Sequence, residues 1–559
     1  MQDGSAAAQS DSRAVLEQAL TAHRAGQFDE AERLYRAVLA LNPADHNALT
    51  NLGTVALQRG RLAEGVSFIE ASLKIKPDQA NAINNRGNAL MSLGRLDEAL
   101  EAFERAIALD ANNAEAHSNR AVVLASLERQ GEAVGSYQRA LEIRPDFLDA
   151  MNGLGVALQD LGRAAEALPL YDRALELNPS SWQFHYNRGN ALRAMNRPQE
   201  ALEAYDLGLT MAAPNAAVLA NRAVALLGLG RYDEAMAGCE AAIAIDQDYV
   251  DAQWNKALLL LMKGDYLAGW RQYEWRWRQA QYKGGEVQEG VRWLGQPPIA
   301  EGTRILMFYE QGLGDTIQML RYATVAAERG AIVGVVTPPA LKELSGTVTG
   351  VAESLIGGEP VAYHFWTPMM SLPMAFGTTL ETVPNAVPYI HTPEAAKTTW
   401  AKWLGPRTRP RVGLAWSGSA THGNDANRSI ALARLKPLLD ANAEFISLQV
   451  EYREGDRAIL EADGRIQDLS GELKSLTDTA AVIEALDLVV TVDTSVAHLA
   501  GALGKPLLVL LAFVPDFRWG VTGERTPWYP TAKLLRQPAA GDWDPVVAAV
   551  RVEIDALAD

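Results

Sequence analysis

Along the first half of the chain a small residue and a larger one return together every 34 residues. The small residue stands at Ala31, Gly65, Ala99, Ala133, Ala167, Ala201, Ala235 and Gly269. Four places later comes Tyr35, Ile69, Phe103, Tyr137, Tyr171, Tyr205, Cys239 or Tyr273. A step of four puts both on one helix face, so each unit predicts a helix whose small residue admits a close neighbour. Pro43, Pro77, Pro145 and Pro179 punctuate unit ends, where proline cannot continue a helix. The pattern predicts eight helical repeats over residues 12–283, the last atypical and rich in aromatics (Trp270, Tyr273, Trp275, Trp277). An atypical last repeat is expected where an array caps itself or docks onto another domain. Cys239 reads as a small packing residue rather than a reactive thiol. Residues 1–11 are polar and predict a disordered start.

The period stops near Gln279. Residues 284–303, with Gly284, Gly285, Gly290, Gly295, Gly302 and the pair Pro297-Pro298, read as a linker. From Arg304 short apolar runs alternate with helical patterns. Strands are predicted at 304–309, 331–336, 411–416, 444–448, 488–492 and 507–511. Helices are predicted at 315–328, 394–403, 431–440, 478–485, 495–503 and 543–557. The stretch Gly405-Pro406-Arg407-Thr408-Arg409-Pro410 divides this half into lobes of 304–405 and 406–559. The expected fold class is an α-helical solenoid followed by an α/β domain of two lobes. Two facing doubly wound lobes place a cleft at the carboxyl ends of their strands.

Composition narrows the function classes. Among 559 residues the net charge is −17, which excludes a general nucleic-acid binder with a basic footprint. The start lacks the apolar run of a signal peptide. No segment reaches the roughly 18 apolar residues of a membrane span. A single cysteine rules out an intrachain disulfide framework. A cytoplasmic protein with no membrane span is expected.

Three turns carry candidate chemistry. Gln311-Gly312-Leu313-Gly314-Asp315 follows the first strand, and Trp416-Ser417-Gly418-Ser419 follows the strand at 411–416. Asp493-Thr494-Ser495-Val496-Ala497-His498 follows the strand at 488–492. Each offers free backbone N–H groups at a helix start, a seat for phosphate. Neither a Walker motif nor a dinucleotide fingerprint occurs, which counts against a kinase or dehydrogenase. No clustered metal-ligand spacing is visible in the carboxyl half, so no metal is expected.

The repeats carry a second register, Asn51, Asn85, Asn119, Gly153, Asn187, Asn221 and Asn255, with Asn152 one place off the interruption. An amide offers both donor and acceptor, the complement of a peptide unit. One amide per repeat could hold roughly every third unit of an extended chain. The alternative is that these asparagines bond locally to the adjoining helix pair.

The 34-residue period is that of tetratricopeptide arrays, whose first helices line a concave surface. The asparagine ladder resembles that of the O-linked N-acetylglucosamine transferase, which also joins such an array to a sugar-transferring domain. The third turn, with Leu499-Ala500-Gly501-Ala502-Leu503-Gly504-Lys505-Pro506 after it, resembles the donor-site signature of bacterial heptosyltransferases. The first turn resembles their Gly-Leu-Gly-Asp loop. Together with Arg428-Ser429-Ile430, Asp478-Thr479-Ala480-Ala481 and Trp528-Tyr529-Pro530, the chain looks similar to repeat-fused transferases that modify flagellin. Two departures are a serine, Ser495, where heptosyltransferases carry glycine, and a short first lobe.

The resemblance implies a metal-independent GT-B glycosyltransferase whose nucleotide-sugar is a substrate, with no cofactor. It implies transfer to Ser or Thr of a protein acceptor, flagellin, held by the repeats. The implied donor is a nonulosonic acid such as pseudaminic acid, as its CMP conjugate. Asp315 is the implied base, with N-capping of its helix as the alternative. Gly314, Ser417, Gly418, Ser419, Arg428, Asp493, Thr494, Ser495 and His498 are the implied donor residues. Asn51, Asn85, Asn119, Asn187, Asn221 and Asn255 are the implied acceptor residues. His422 is a weaker neighbour, and Asp478 and Thr479 are expected to begin a helix. Trp519 and Trp528-Tyr529-Pro530 are expected to pack the lobes or shape the cleft. Competing readings are a non-catalytic scaffold with a degenerate transferase domain, or a transferase acting on a glycan or lipid.

Overall fold

The computed structural model describes residues 3–211, 214–279, 290–357 and 362–557, with side chains from Ser12 onward. Contacts divide the chain into two compact units, 1–225 and 226–559. Among the described residues up to Tyr273 every element is a helix, from Asp3–Arg24 and Phe28–Leu41 through Val250–Met262 and Tyr266–Tyr273. The first begins at Asp3, inside the stretch expected to be disordered.

The repeat register is visible in the packing. Every small residue of the first series, from Ala31 to Gly269, is buried, and so is every larger partner from Tyr35 to Tyr273. In unit 1 Ile69, Phe103, Tyr171 and Tyr205 each lie against a glycine of the preceding helix, and Tyr137 lies against Gly153 of the following one. A Cβ on Gly87 would fall 2.6 Å from the Phe103 ring, and one on Gly189 2.5 Å from Tyr205. The glycines let the two helices approach until the aromatic face fills the gap. The tight turns between paired helices keep the same step. Left-handed backbone occurs at Gly26, Gly60, Gly94, Gly162, Gly230 and Gly264, and at Glu128 (φ 60°) and Asn196 (φ 56°) in the same register. Glycine and asparagine tolerate that conformation; glutamate does so at a cost.

Unit 2 begins inside the repeats. It holds the helices Tyr232–Ile245, Val250–Met262 and Tyr266–Tyr273 together with two parallel sheets. Cys239 is fully buried, and burial pushes its thiol up to about 12, as a packing residue requires.

The first sheet contains β1 (Val291–Arg292), β2 (Arg304–Phe308), β3 (Ile332–Val336), β4 (Val351–Leu355) and β5 (Phe365–Pro368), ordered β1-β5-β2-β3-β4. The second contains β6 (Arg411–Ala415), β7 (Glu444–Ser447), β8 (Ile466–Gln467), β9 (Leu488–Val492), β10 (Leu507–Leu511) and β11 (Ala532–Arg536), ordered β11-β10-β9-β6-β7-β8. In the second sheet the chain starts at β6, winds outward to β8, then returns on the other side through β9; in the first it enters at the edge with β1, winds outward from β2 to β4, then returns with β5 between β1 and β2. The order therefore reverses between β2 and β5 and between β6 and β9. A crevice opens at such a switch point, outside the carboxyl ends of the strands. The three chemistry-bearing turns follow β2, β6 and β9, all of them switch-point strands.

Several expectations need correction. Val291–Arg292 pairs with β5, so the expected linker 284–303 supplies an edge strand of the first sheet; residues 280–289 lie outside the described residues. Strands β4, β5, β8 and β11 were not predicted, because their short or mixed runs lack a clean period. The helix expected at 315–328 is two, Leu313–Met319 and Arg321–Glu328, and that at 431–440 tightens to a 3₁₀ turn at Lys436–Asp440, around Pro437. The helix Glu394–Leu404, assigned to the first lobe, packs on Leu476–Glu484, where Trp400 Nε1 donates to Asp478 Oδ1 at 2.9 Å. That second helix is capped by Ser475, with Asp478 in its first turn, rather than begun by Asp478 and Thr479.

Candidate functional site

The turn after β2 enters the helix Leu313–Met319 with Asp315 in its first turn. Asp315 Oδ2 accepts from Gly312 N–H at 2.9 Å; Gly312 is the N-cap and Asp315 the third helical residue, so Asp315 closes the helix start from within the first turn rather than as the N-cap. Its other oxygen, Oδ1, accepts from Arg518 Nη2. Arg518 also donates to Gln318 Oε1 at 2.9 Å and to Asp516 Oδ1 at 2.6 Å. Burial works against its charge, but the carboxylates of Asp315 and Asp516 outweigh that and hold its pKa above the ordinary arginine value.

The turn after β9 enters the helix Ser495–Ala502 and carries His498, which is 4% exposed. Its Nδ1 lies 2.9 Å from the Tyr529 hydroxyl and its ring stacks on Trp519 at 5.4 Å. Burial, then the positive charges of Arg518 and Arg321, push its pKa well below the usual histidine range, so the ring is neutral at pH 7. The first and third turns meet here: a Cβ on Gly314 would lie 2.7 Å from His498 Cδ2. Glycine at 314 is required by this contact.

Across the switch point of the second sheet, Arg428 Nη1 donates to the Asp493 carbonyl at 2.9 Å. A Cβ on Gly418 would lie 2.4 Å from Arg428 Nη2, so the turns after β6 and β9 are joined through this guanidinium. Ser417 is buried, its N–H donating to Gln449 Oε1 at 3.2 Å, while its hydroxyl and Arg428 Nε are buried without a hydrogen-bond partner among the described residues. Asp493 is pushed up to about 6, first by burial and then by the nearby Asp516 carboxylate. Thr494 Oγ1 turns back to Thr491 Oγ1 at 3.2 Å, Ser495 is half-buried at the helix start, and exposed Ser419 bonds Thr421 at 2.9 Å. His422 Nδ1 accepts from Asn424 N–H at 3.1 Å. Gly314, Asp315 and His498 thus come together, as do Gly418, Arg428 and Asp493, whereas Ser419 points into its own loop.

Sequence reasoning missed Arg518, Asp516, Gln318 and Arg321. Arg321 is buried with no carboxylate partner among the described residues: it donates to the carbonyls of Gln318, Pro384 and Trp528 and to the Tyr389 hydroxyl. Only Trp519 was singled out in Asp516-Phe517-Arg518-Trp519. The available signal was an acid beside a base in an otherwise apolar, aromatic loop. Trp519, Trp528 and Tyr529 are buried and pack.

The asparagine register resolves largely toward the local alternative. The Nδ2 of Asn85 donates to Thr54 at 3.3 Å, that of Asn119 to Asn84 at 3.2 Å, and that of Asn187 to Asn152 at 2.7 Å. Asn221 donates to the Tyr186 hydroxyl at 2.8 Å, and Asn51 to the Asn47 carbonyl of its own helix at 2.9 Å. At four positions the donor half of the amide is therefore spent joining one repeat to the one before it. Gly153 interrupts the register because Tyr137 fills the space: a Cβ there would lie 2.3 Å from its ring. Asn255 is half-buried on Val250–Met262 in unit 2.

Comparison with known proteins matches both halves. Tetratricopeptide-repeat models match residues 16–80, 87–128, 114–147, 152–217 and 195–250. A model described as glycosyltransferase family 9 (heptosyltransferase) matches residues 451–539, the stretch containing Asp493, His498, Arg518 and Tyr529. Among curated proteins, Protein FlbA of Caulobacter vibrioides is 26% identical over 332 residues, covering 54% of this chain and 55% of the relative. The match thus spans about half the length of that relative. Solved structures that resemble part of the chain include a tetratricopeptide repeat protein from Parabacteroides merdae (19% identity, TM-score 0.36, 44% of this chain and 98% of that one). MamA is another (27% identity, TM-score 0.26, 28% of this chain and 91% of that one). The chain thus joins tetratricopeptide repeats to a heptosyltransferase-like glycosyltransferase domain.

Proposed function

We propose that the protein is a GT-B protein O-glycosyltransferase that moves a sugar from a nucleotide donor to Ser or Thr of a protein acceptor. The observation that carries the reading is the convergence of the turns after β2 and β9, with Gly314 against His498 and Asp315 against Arg518. A direct displacement needs a base for the acceptor hydroxyl and positive charge or hydrogen-bond donors for the departing phosphate. Asp315 takes the hydroxyl proton as the acceptor oxygen attacks the anomeric carbon. Arg428, Arg518, the Ser417 hydroxyl and the amides at the start of Ser495–Ala502 supply the donors. Neutral His498 serves as a hydrogen-bond partner rather than a counter-charge. No metal step is invoked.

The repeats recruit the acceptor, with the asparagine carbonyl oxygens of unit 1 offering acceptors to backbone N–H groups. Flagellin as acceptor, a CMP-activated nonulosonic acid as donor and a cytoplasmic site of action follow from the resemblance. Among the described residues no helix is long and apolar enough to cross a membrane. Intact-mass measurement of flagellin co-expressed with the chain, with and without Asp315→Asn, tests the reading. An added sugar mass that disappears in the variant is expected. Unmodified flagellin alongside the wild-type chain refutes it for that acceptor.

A further inference from the structure

The last repeat carries the most deeply buried ion pair among the described residues. Arg276 follows Tyr266–Tyr273 in a 3₁₀ turn and is 0% exposed. Its guanidinium grips Glu310 through two bonds, Nε to Oε2 at 2.8 Å and Nη2 to Oε1 at 2.9 Å. Nη1 donates to Glu274 at 2.7 Å, and Nη2 also donates to the Ser371 hydroxyl at 2.8 Å. Glu310 Oε1 additionally accepts from Met370 N–H at 2.9 Å. Next along the chain, Gln311 exchanges hydrogen bonds with the Tyr273 hydroxyl at 3.0 and 3.2 Å. Two residues of the last repeat thus hold two consecutive residues of the loop that delivers Gly314 and Asp315.

The same repeat holds the opposite side. Trp528 Nε1 donates to the Tyr266 hydroxyl at 2.9 Å, and Trp270 meets Phe517 edge-on at 5.6 Å. Phe517 precedes Arg518. Both partners of the Asp315–Arg518 pair are therefore anchored to one short helix and its 3₁₀ extension. A bidentate, fully desolvated guanidinium–carboxylate pair has one geometry, unlike a surface pair.

We propose that the last repeat is a clamp for the transferase site, with Arg276 and Tyr273 as positioning residues that set where Asp315 stands. The proposal rests on Asp315 being the base. A displacement of a catalytic group by about 1 Å costs about 100-fold in rate. The clamp makes the atypical aromatic repeat a part of the transferase rather than an end cap of the array.

The test uses the full chain with Arg276→Lys, which keeps the charge and loses the fork, and Tyr273→Phe, which keeps the ring and loses the hydroxyl. Hydrogen exchange is followed in peptides covering residues 310–319 and, separately, in β2, β3 and β9. Faster exchange by at least 10-fold in 310–319, with the strands unchanged, is expected for Arg276→Lys, and a smaller increase for Tyr273→Phe. Unchanged exchange in 310–319 overturns the clamp. Steady-state transfer from CMP-pseudaminic acid to purified flagellin then separates position from folding. A fall in kcat of about 100-fold with the donor KM unchanged is expected for Arg276→Lys. Loss through donor KM alone overturns the positioning role. Absence of transfer by the wild-type chain refutes the function reading, while the exchange result still decides the clamp.

Discussion

Arg518 and Asp315, 203 residues apart in sequence, form an ion pair in which the aspartate uses the oxygen left over from closing the start of its own helix. Both carboxylate oxygens of the proposed base are thus engaged, one by the Gly312 N–H and one by a guanidinium that also serves Asp516. For the acceptor hydroxyl to reach Asp315, one of these bonds must give way. The Arg518 bond is the one a donor phosphate can replace.

Asp315→Asn keeps a side-chain oxygen for the Gly312 N–H, or for Arg518, while removing the basic carboxylate. Transfer is expected to fall by about 10²–10⁴-fold, the usual contribution of a general base. The melting temperature is expected to move little. Calorimetry beside the transfer assay checks both, and an active, stable variant excludes Asp315 as base.

Asp493 predicts a pH signature. Its carboxyl is raised to about 6 by burial and the Asp516 carboxylate, against the opposing pull of Trp519, Arg518 and Arg428. An acid with a raised folded pKa binds its proton more tightly when folded. Its contribution to stability is complete below its unfolded value near 4 and is lost as pH rises through about 6. The melting temperature of the wild type minus that of Asp493→Asn should therefore decline from about pH 4 to about pH 7. A flat difference would show that Asp493 ionises normally.

The bond from Asn187 to Asn152 predicts a role for the asparagine register in array stability. A double-mutant cycle with alanine at both positions should give a coupling of about 0.5–1.5 kcal/mol in chemical denaturation. Zero coupling would mean that the two amides do not meet in solution. A fall in acceptor affinity in Asn119→Ala, Asn187→Ala and Asn221→Ala has to be separated from this loss of stability.

Glu128 occupies a left-handed turn position held by glycine in six other repeats. Its side chain is exposed, so Glu128→Gly removes backbone strain without disturbing packing. The variant should be more stable by about 1 kcal/mol. Equal or lower denaturation midpoints would show that the greater chain entropy of unfolded glycine cancels the gain.

The repeats were legible because their determinants are local and recur. Ala31 to Gly269 and Tyr35 to Tyr273 lie four places apart on one helix face, and eight registers repeat the same constraint. The strands at β2, β3, β6, β7, β9 and β10 were legible as short apolar runs followed by turns. Strand β1 was not, because two residues between glycines and prolines become a strand only by lying beside Phe365 and Trp366.

The amino-acid sequence by itself determined the helical array, the parallel α/β class of the second half and the three turns, since each rests on residues within a few places of one another. Only the tertiary structure decided what those residues touch. It gave the asparagine amides partners in the neighbouring repeat, made His498 a buried neutral ring beside Gly314, and brought Arg518 to Asp315. It also drew Arg276 of the last repeat onto Glu310. A side chain's hydrogen-bond partner is chosen by the nearest group that satisfies it after desolvation, and that group can stand anywhere in the chain.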